Sequence, residues 1–345
     1  MSDRIKIIQI GVCHEHANGK IQALKLLPDL YEIVGWVDDR RLCHTPRFGN
    51  GANMERYEGL PQFTLDEALA CPGLQAVTVE VPNNDLVPVA LQCMEHGLAM
   101  HMDKPAGEEL SQYRRLLDGC KARGLPFQMG YMYRGNPAFK FIQRLVRGNV
   151  LGDIYGIDMD MNHCYGGDEY QTYLGKFRGG IMYNLGCHLI DFIVSLMGRP
   201  QRVEPFLLST ADLPSAIRNN TAAVLQYAHA TAFIRACSRR VQTGEGTPQR
   251  AWKIEGTNGS VFLSPVERFD GQPLQLHIYL HEGRGGYPAG DNIIKFPPQQ
   301  DRYTEQLREF AQIIRGQLVN PYTFEHDCTV HEVTLAAAGY TKWQG

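Results

Sequence analysis

IKIIQIGVCHEHANGK, residues 5–20, runs an apolar stretch into a glycine-led turn and then into a helical pattern. Ile5–Ile10 has the length and branched content of a buried strand, and Gly11 stands where such a strand would bend sharply into a helix. The alternation continues outward through the first third of the chain. Residues 33–37, 75–81 and 98–102 read as further strands, with helical spacing at 17–27, 65–70, 86–96 and 108–123. Thr64 followed three positions later by Glu67 is a capping-box signature, in which side chains satisfy orphan amides. Gly97 and Gly124 stand where a helix can end on a left-handed residue. Strands that alternate with helices need crossover connections, so a parallel, doubly wound α/β sheet is expected here.

After Gly124 the pattern changes. Segments 126–134, 153–163, 201–210, 221–227, 230–238, 250–256, 260–263, 273–281 and 291–296 read as strands, with turns such as Thr257-Asn258-Gly259 between them. Helical patterns fall at 137–148, 181–197, 302–316 and 326–340. Strands in succession point to a mostly antiparallel sheet with helices on one face, an α+β domain. The expected organisation is residues 1–125 for a dinucleotide and 126–345 for substrate binding and oligomerisation, two domains being the usual solution for 345 residues.

Bulk properties narrow the function classes. With 43% apolar and 21% charged residues the chain has a globular composition, and a net charge of −3 offers no basic footprint for nucleic acid. No apolar run reaches the roughly 18 residues of a membrane span, and the N-terminal residues carry no secretion signal. The nine cysteines are scattered, odd in number and without a C-x-x-C pair, which favours thiols in a reducing cytoplasm.

Four places carry residues suited to chemistry. In a dinucleotide-binding turn three glycines make the bend, admit the pyrophosphate and let helix and strand pack closely; only Gly11 is kept here, with Cys13 and His16 in the other two places. His14 and His16 are a pair of metal-ligand type, but no third ligand stands nearby in sequence, and no metal is expected. Asp38, after the second strand, suits the adenosine ribose diol and favours NAD, although Arg40 and Arg41 could receive the 2′-phosphate of NADP. Pro82-Asn83 and Asp103-Lys104-Pro105 fall at C-terminal strand ends, where open α/β sheets bind ligands. Lys104 could supply positive charge to a reacting hydroxyl. Finally, Gly179-Gly180 precedes a helix in which Asn184, His188 and Asp191 are spaced by four and three, which puts them on adjacent faces. His188 is then a candidate acid or base, oriented by Asn184 and Asp191.

Taken together these segments resemble the Gfo/Idh/MocA family of oxidoreductases, named for glucose-fructose oxidoreductase, inositol dehydrogenase and rhizopine catabolism. The resemblance runs from the Gly11 turn through Pro82-Asn83, Asp103-Lys104-Pro105 and Tyr131-Met132-Tyr133-Arg134. It continues through the Gly179 to Asp191 segment to Phe324-Glu325-His326-Asp327. It implies an N-terminal Rossmann domain, a C-terminal domain with an open sheet, and nicotinamide and substrate meeting in a cleft between them. By similarity Lys104 is the lysine of the family's Glu-Lys-Pro motif, with Asp103 in place of Glu, and His188 is the catalytic histidine. Asn184 stands where many sugar and inositol dehydrogenases of the family carry Asp. His163, Tyr133 and Arg134 are implied substrate-binding residues, joined by Asp191.

The activity so implied is hydride transfer between a nicotinamide and a hydroxyl of a sugar, cyclitol or glycoside. His188 would take the proton, Lys104 stabilise the alkoxide and Asn184 hold His188. Two alternatives share the fold. One is transient oxidation of a glycoside that permits elimination of the aglycone and regenerates NAD; the other is a non-catalytic nucleotide-binding sensor. A flat, open sheet suits self-association, so a homodimer or homotetramer is expected.

Overall fold

The computed structural model describes residues 4–38, 53–164, 167–239 and 250–345. Arg40, an expected cofactor residue, and Arg41 lie outside the described residues. By internal contacts the chain forms two compact units, Met1–Met132 with Asp301–Cys328 and Tyr133–Gln300 with Thr329–Gly345.

The first unit alternates strand and helix from its start: β1 (Ile5–Ile10), α1 (Ala17–Lys25), β2 (Tyr31–Val37), β3 (Gln62–Phe63), α2 (Leu65–Leu69) and β4 (Ala76–Val79). It continues through α3 (Leu86–Glu95), β5 (Ala99–Met102), α4 (Leu110–Arg123) and β6 (Phe127–Met129). The sheet order is β3-β2-β1-β4-β5-β6 with every pairing parallel, the Rossmann arrangement, in which strand order reverses between β1 and β4. The expected capping box is present, Thr64 and Glu67 each bonding the other's backbone at the start of α2. Gly124 ends α4 in the left-handed conformation at φ 62°. Ile7, Leu24, Trp36 and Tyr57 form the core on one side of this sheet, completed by Tyr303, Leu307 and Phe310 from the late segment.

Two strand expectations change. The strand read over 126–134 is only Phe127–Met129; it pairs with β5 and so belongs to the first sheet. Met132–Gly135 turns instead as a 3-10 helix. The short strand Gln62–Phe63 was not anticipated, since two residues carry no readable period.

The second unit holds α5 (Pro137–Arg147), β7 (Ile154–Asn162), α6 (Gly167–Leu174), α7 (Cys187–Met197), β8 (Arg202–Leu208), β9 (Asn220–Gln226) and β10 (Thr231–Cys237). The strands β11 (Trp252–Gly256), β12 (Gly259–Leu263), β13 (Leu274–Leu280) and β14 (Gly290–Phe296) follow, then α8 (Thr304–Ile314), whose residues fall within the first unit, and α9 (Phe324–Ala337). The sheet runs β14-β13-β12-β11-β7-β10-β9-β8 and is antiparallel throughout except where β7 meets β10. Its buried face packs Trp252 against Phe139 of α5 and Phe192 of α7, with ring centroids 4.1 and 5.1 Å away. These aromatic contacts fasten the two helices to the sheet, each adding to the apolar burial that drives the packing.

The long helix expected over 181–197 is divided. Met182–Gly186 forms a π-helical turn before α7 begins at Cys187. α6 was not among the helical patterns read from sequence. Seven of the described cysteines are thiols, whereas Cys13 is disulfide-bonded, which corrects the expectation of thiols throughout.

Candidate active site

In the first unit the expected cofactor residues gather at the C-terminal ends of β1, β4 and β5. Gly11 has φ +99°, and a β-carbon on it would lie 2.7 Å from the Glu80 carbonyl carbon and oxygen, so no other residue fits the bend. The loop is tied down by hydrogen bonds from the Gly11 amide to the Val37 carbonyl (3.1 Å) and from the His14 amide to the Glu80 carbonyl (2.9 Å). Asp38 is half-buried just after β2, and Pro82 and Asn83 follow β4. Cys13 and His16 occupy the turn itself, His16 at the N-cap of α1.

Asp103 and Lys104 are both fully buried. The Lys104 amide donates to Asp103 Oδ1 (2.7 Å), and the Lys104 ammonium lies 3.5 Å from Glu15 Oε1 in the nucleotide loop. Around Asp103 the sequence assembles more charge than its local motif suggests. His16 Nδ1 is 3.1 Å from both Asp103 oxygens, His14 Nδ1 is 3.8 Å from Oδ2, and Lys20 Nζ is 3.9 Å from Oδ2. Burial pushes the Asp103 carboxyl up, but His16, His14 and Lys20 outweigh it and hold it well below the usual range. Glu80, also fully buried, is pushed well above that range by burial and by the neighbouring Asp103 charge. Burial lowers the His14 imidazole to about 4. Donor atoms of His14, His16 and Asp103 lie within 4.8 Å of one another. Asp103 is remote in sequence, and only the parallel sheet brings the end of β5 beside the β1 loop.

In the second unit a separate buried polar group forms on β7, α6, the π-turn and α7. His163 follows β7, and its Nε2 is 3.2 Å from the Tyr170 hydroxyl. Asn184 Nδ2 donates to the same hydroxyl at 3.4 Å, so Tyr170 links the two. The ring of His188 meets that of Tyr133 edge-on, centroids 5.7 Å apart. Asp191, expected to orient His188, accepts a two-pronged contact from Arg134, with Nη2 at 2.6 Å from Oδ1 and Nε at 3.0 Å from Oδ2. Tyr133 in turn accepts from Arg250 Nη1 (3.0 Å), which also pairs with Glu267 at 2.6 Å.

The structure thus brings Gly11, His16, Asp103 and Lys104 together, and separately Tyr133, Arg134, His163, Asn184, His188 and Asp191. Tyr170 and Arg250 were missed from sequence. Asp168 and Glu169 in the first turn of α6 were the available sign of a helix that carries Tyr170 inward.

Comparison with known proteins places this arrangement. Residues 139–262 match the GFO/IDH/MocA C-terminal domain. Over that stretch the chain is similar to the Gfo/Idh/MocA family. Among relatives, the chain is 23% identical over 351 residues to an uncharacterised oxidoreductase of Schizosaccharomyces pombe, covering 90% of this chain and 88% of the relative. It is 24% identical over 308 residues to the NAD(+)-dependent scyllo-inositol 2-dehydrogenase of Bacillus subtilis, covering 85% and 83%. Its fold matches that of a 3-ketoreductase of Actinomadura kijaniata, solved with TDP-benzene and NADP, at a TM-score of 0.71 and 17% identity over 97% of this chain and 96% of the other. The Gfo/Idh/MocA family includes dehydrogenases of sugars and inositol. Among the described residues no helix is long and apolar enough to cross a membrane.

Proposed function

We propose that the chain is an NAD(P)-dependent oxidoreductase acting on a hydroxyl of a sugar, cyclitol or glycoside. The observation that carries this is the Gly11 bend at the strand-order reversal, together with a fully buried lysine at the end of the neighbouring β5. The residues present suit a dinucleotide. Gly11 admits close backbone approach, Asp38 can accept hydrogen bonds from a ribose diol, and Pro82, Asn83, Asp103, Cys13 and His16 line the same strand ends. Asp38 favours NAD over NADP, because its carboxylate repels a 2′-phosphate.

When bound, the nicotinamide supplies the two-electron acceptor or donor for the alcohol–carbonyl pair. In the oxidation direction His188 would serve as the base for a hydroxyl proton, and Lys104 would offer positive charge to a developing alkoxide. Asn184 and His163, both joined to Tyr170, present hydrogen-bonding groups to the remaining hydroxyls. The Arg134–Asp191 ion pair holds the start of the second unit to α7, which keeps His188 on a fixed helix. The partner is a small polyol, and the setting is the cytoplasm.

Lys104→Met and His188→Ala are expected to lower kcat by roughly a hundred- to ten-thousandfold while leaving the NAD dissociation constant within a few-fold. Turnover on a panel of sugars, cyclitols and glycosides measures the first, and calorimetry the second. Wild-type turnover in both variants would refute the assignment.

A further inference from the structure

We infer that Tyr170 is a positioning residue: it gives its phenol proton to His163 Nε2, fixes that imidazole as the Nδ1-protonated tautomer and so makes it a hydrogen-bond donor to a neutral hydroxyl of the substrate, a role that rests on the proposed polyol activity.

Three buried side chains of the second unit carry this. His163, Tyr170 and Asn184 are 0%, 1% and 0% exposed. The Tyr170 oxygen lies 3.2 Å from His163 Nε2 and accepts from Asn184 Nδ2 at 3.4 Å. An amide nitrogen only donates, and a phenol has a single proton. Of these two partners, therefore, only His163 Nε2 can take that proton, and it must offer a lone pair to do so. A neutral imidazole with its lone pair on Nε2 carries its hydrogen on Nδ1. The opposite tautomer would set two donors, imidazole and amide, against one phenol oxygen and turn the phenol proton away from both. Away from water such a mismatch is costly.

Each element that holds the group is fastened in place. The His163 amide donates to the Cys237 carbonyl at the end of β10 (3.0 Å), and the Ile181 amide, just before the π-turn, donates to the Arg218 carbonyl (2.8 Å). On α6 the neighbouring Gln171 Oε1 accepts from Ser238 Oγ (2.8 Å), which ties the helix to the end of β10. The rings of His163 and Tyr170 then stand with centroids 4.9 Å apart.

The tautomer decides what the pair can read. His163 offers Nδ1–H, and Asn184, its Nδ2 turned to Tyr170, offers Oδ1 as an acceptor. A hydroxyl can accept from the first and donate to the second. A carboxylate has nothing to donate, so the pair favours a polyol over its acid.

The test is long-range 1H–15N NMR on the full chain with 15N-labelled histidine at about pH 8, where an ordinary imidazole is neutral. His163 is identified by the signals lost in His163→Gln. Its unprotonated nitrogen is expected to be Nε2. Tyr170→Phe removes the donor to that nitrogen, and Asn184→Asp supplies a carboxylate that draws the phenol proton to itself; each should shift the His163 proton toward Nε2. Asn184→Asp barely changes side-chain size, so it decides the matter even where the phenylalanine variant does not fold. The spectrum needs no turnover, so its failure is distinct from failure of the dehydrogenase reading. On the sugar or cyclitol that the wild type oxidises, Tyr170→Phe should raise KM about three- to tenfold with kcat within about twofold. A wild-type His163 unprotonated at Nδ1, or a variant with switched tautomer and wild-type KM, would overturn the assignment.

Discussion

Gly11 has its φ at +99° with the Glu80 carbonyl in the space a β-carbon would take. Gly11→Ala is therefore strained whatever its surroundings, and is expected to cost about 1–3 kcal/mol. A fall in the urea midpoint at constant m-value, accompanied by weaker NAD binding, would register it. Cysteine reactivity offers a second single-residue outcome. Burial pushes the Cys93 thiol up to about 12, whereas Cys164 is exposed. Iodoacetamide applied to the folded protein should mark Cys164 and leave Cys93 unmodified, as peptide mass mapping would report. At this scale the sequence is readable where one residue type is demanded by backbone or motif, as with Gly11 and Lys104. It is silent on partners that arrive from elsewhere: nothing near Lys104 announces Glu15.

Elements were legible where periodicity is long and caps are local. The Thr64–Glu67 box and the Gly124 terminus could be read because each is completed within a few residues. Thr64→Ala should cost about 1 kcal/mol, a shift that chemical denaturation resolves. The π-turn was not legible. Asn184 lies on this turn and donates to the Tyr170 hydroxyl, a partner its spacing to His188 did not suggest. Asp191 pairs with Arg134, which enters from a 3-10 turn that had been read as strand. Breaking that buried pair by Asp191→Asn would strand a guanidinium and should cost about 3–5 kcal/mol. Thermal or urea unfolding would show this, with Arg134→Leu added in the double variant recovering part of the loss.

At the scale of the whole molecule, the strand alternation allowed both sheets to be anticipated, but not their order, because register between distant strands is set by tertiary packing. The uncovered face of the second sheet has a consequence for assembly. Phe233, Asp158, Lys253, Phe262 and Ile293 lie on one cross-strand row, the three apolar members 46–53% exposed. A face left to water would alternate to polar residues here, and a row with both Asp and Lys can meet its own copy with opposite charges opposed. A homodimer across this face is the expected state. Sedimentation should show it, and Phe233→Asp combined with Phe262→Asp should yield monomer; wild-type protein that stays monomeric at micromolar concentration would remove the expectation.

The return of residues 301–328 to the first unit has a practical corollary. Tyr303, Leu307 and Phe310 complete an interior that residues 1–132 begin, so those two stretches are one folding partner written in two places. Anyone recombining front halves among relatives would have to transplant both stretches as a matched set, because a graft cut only near position 132 would pair each interior with a stranger's closing helix.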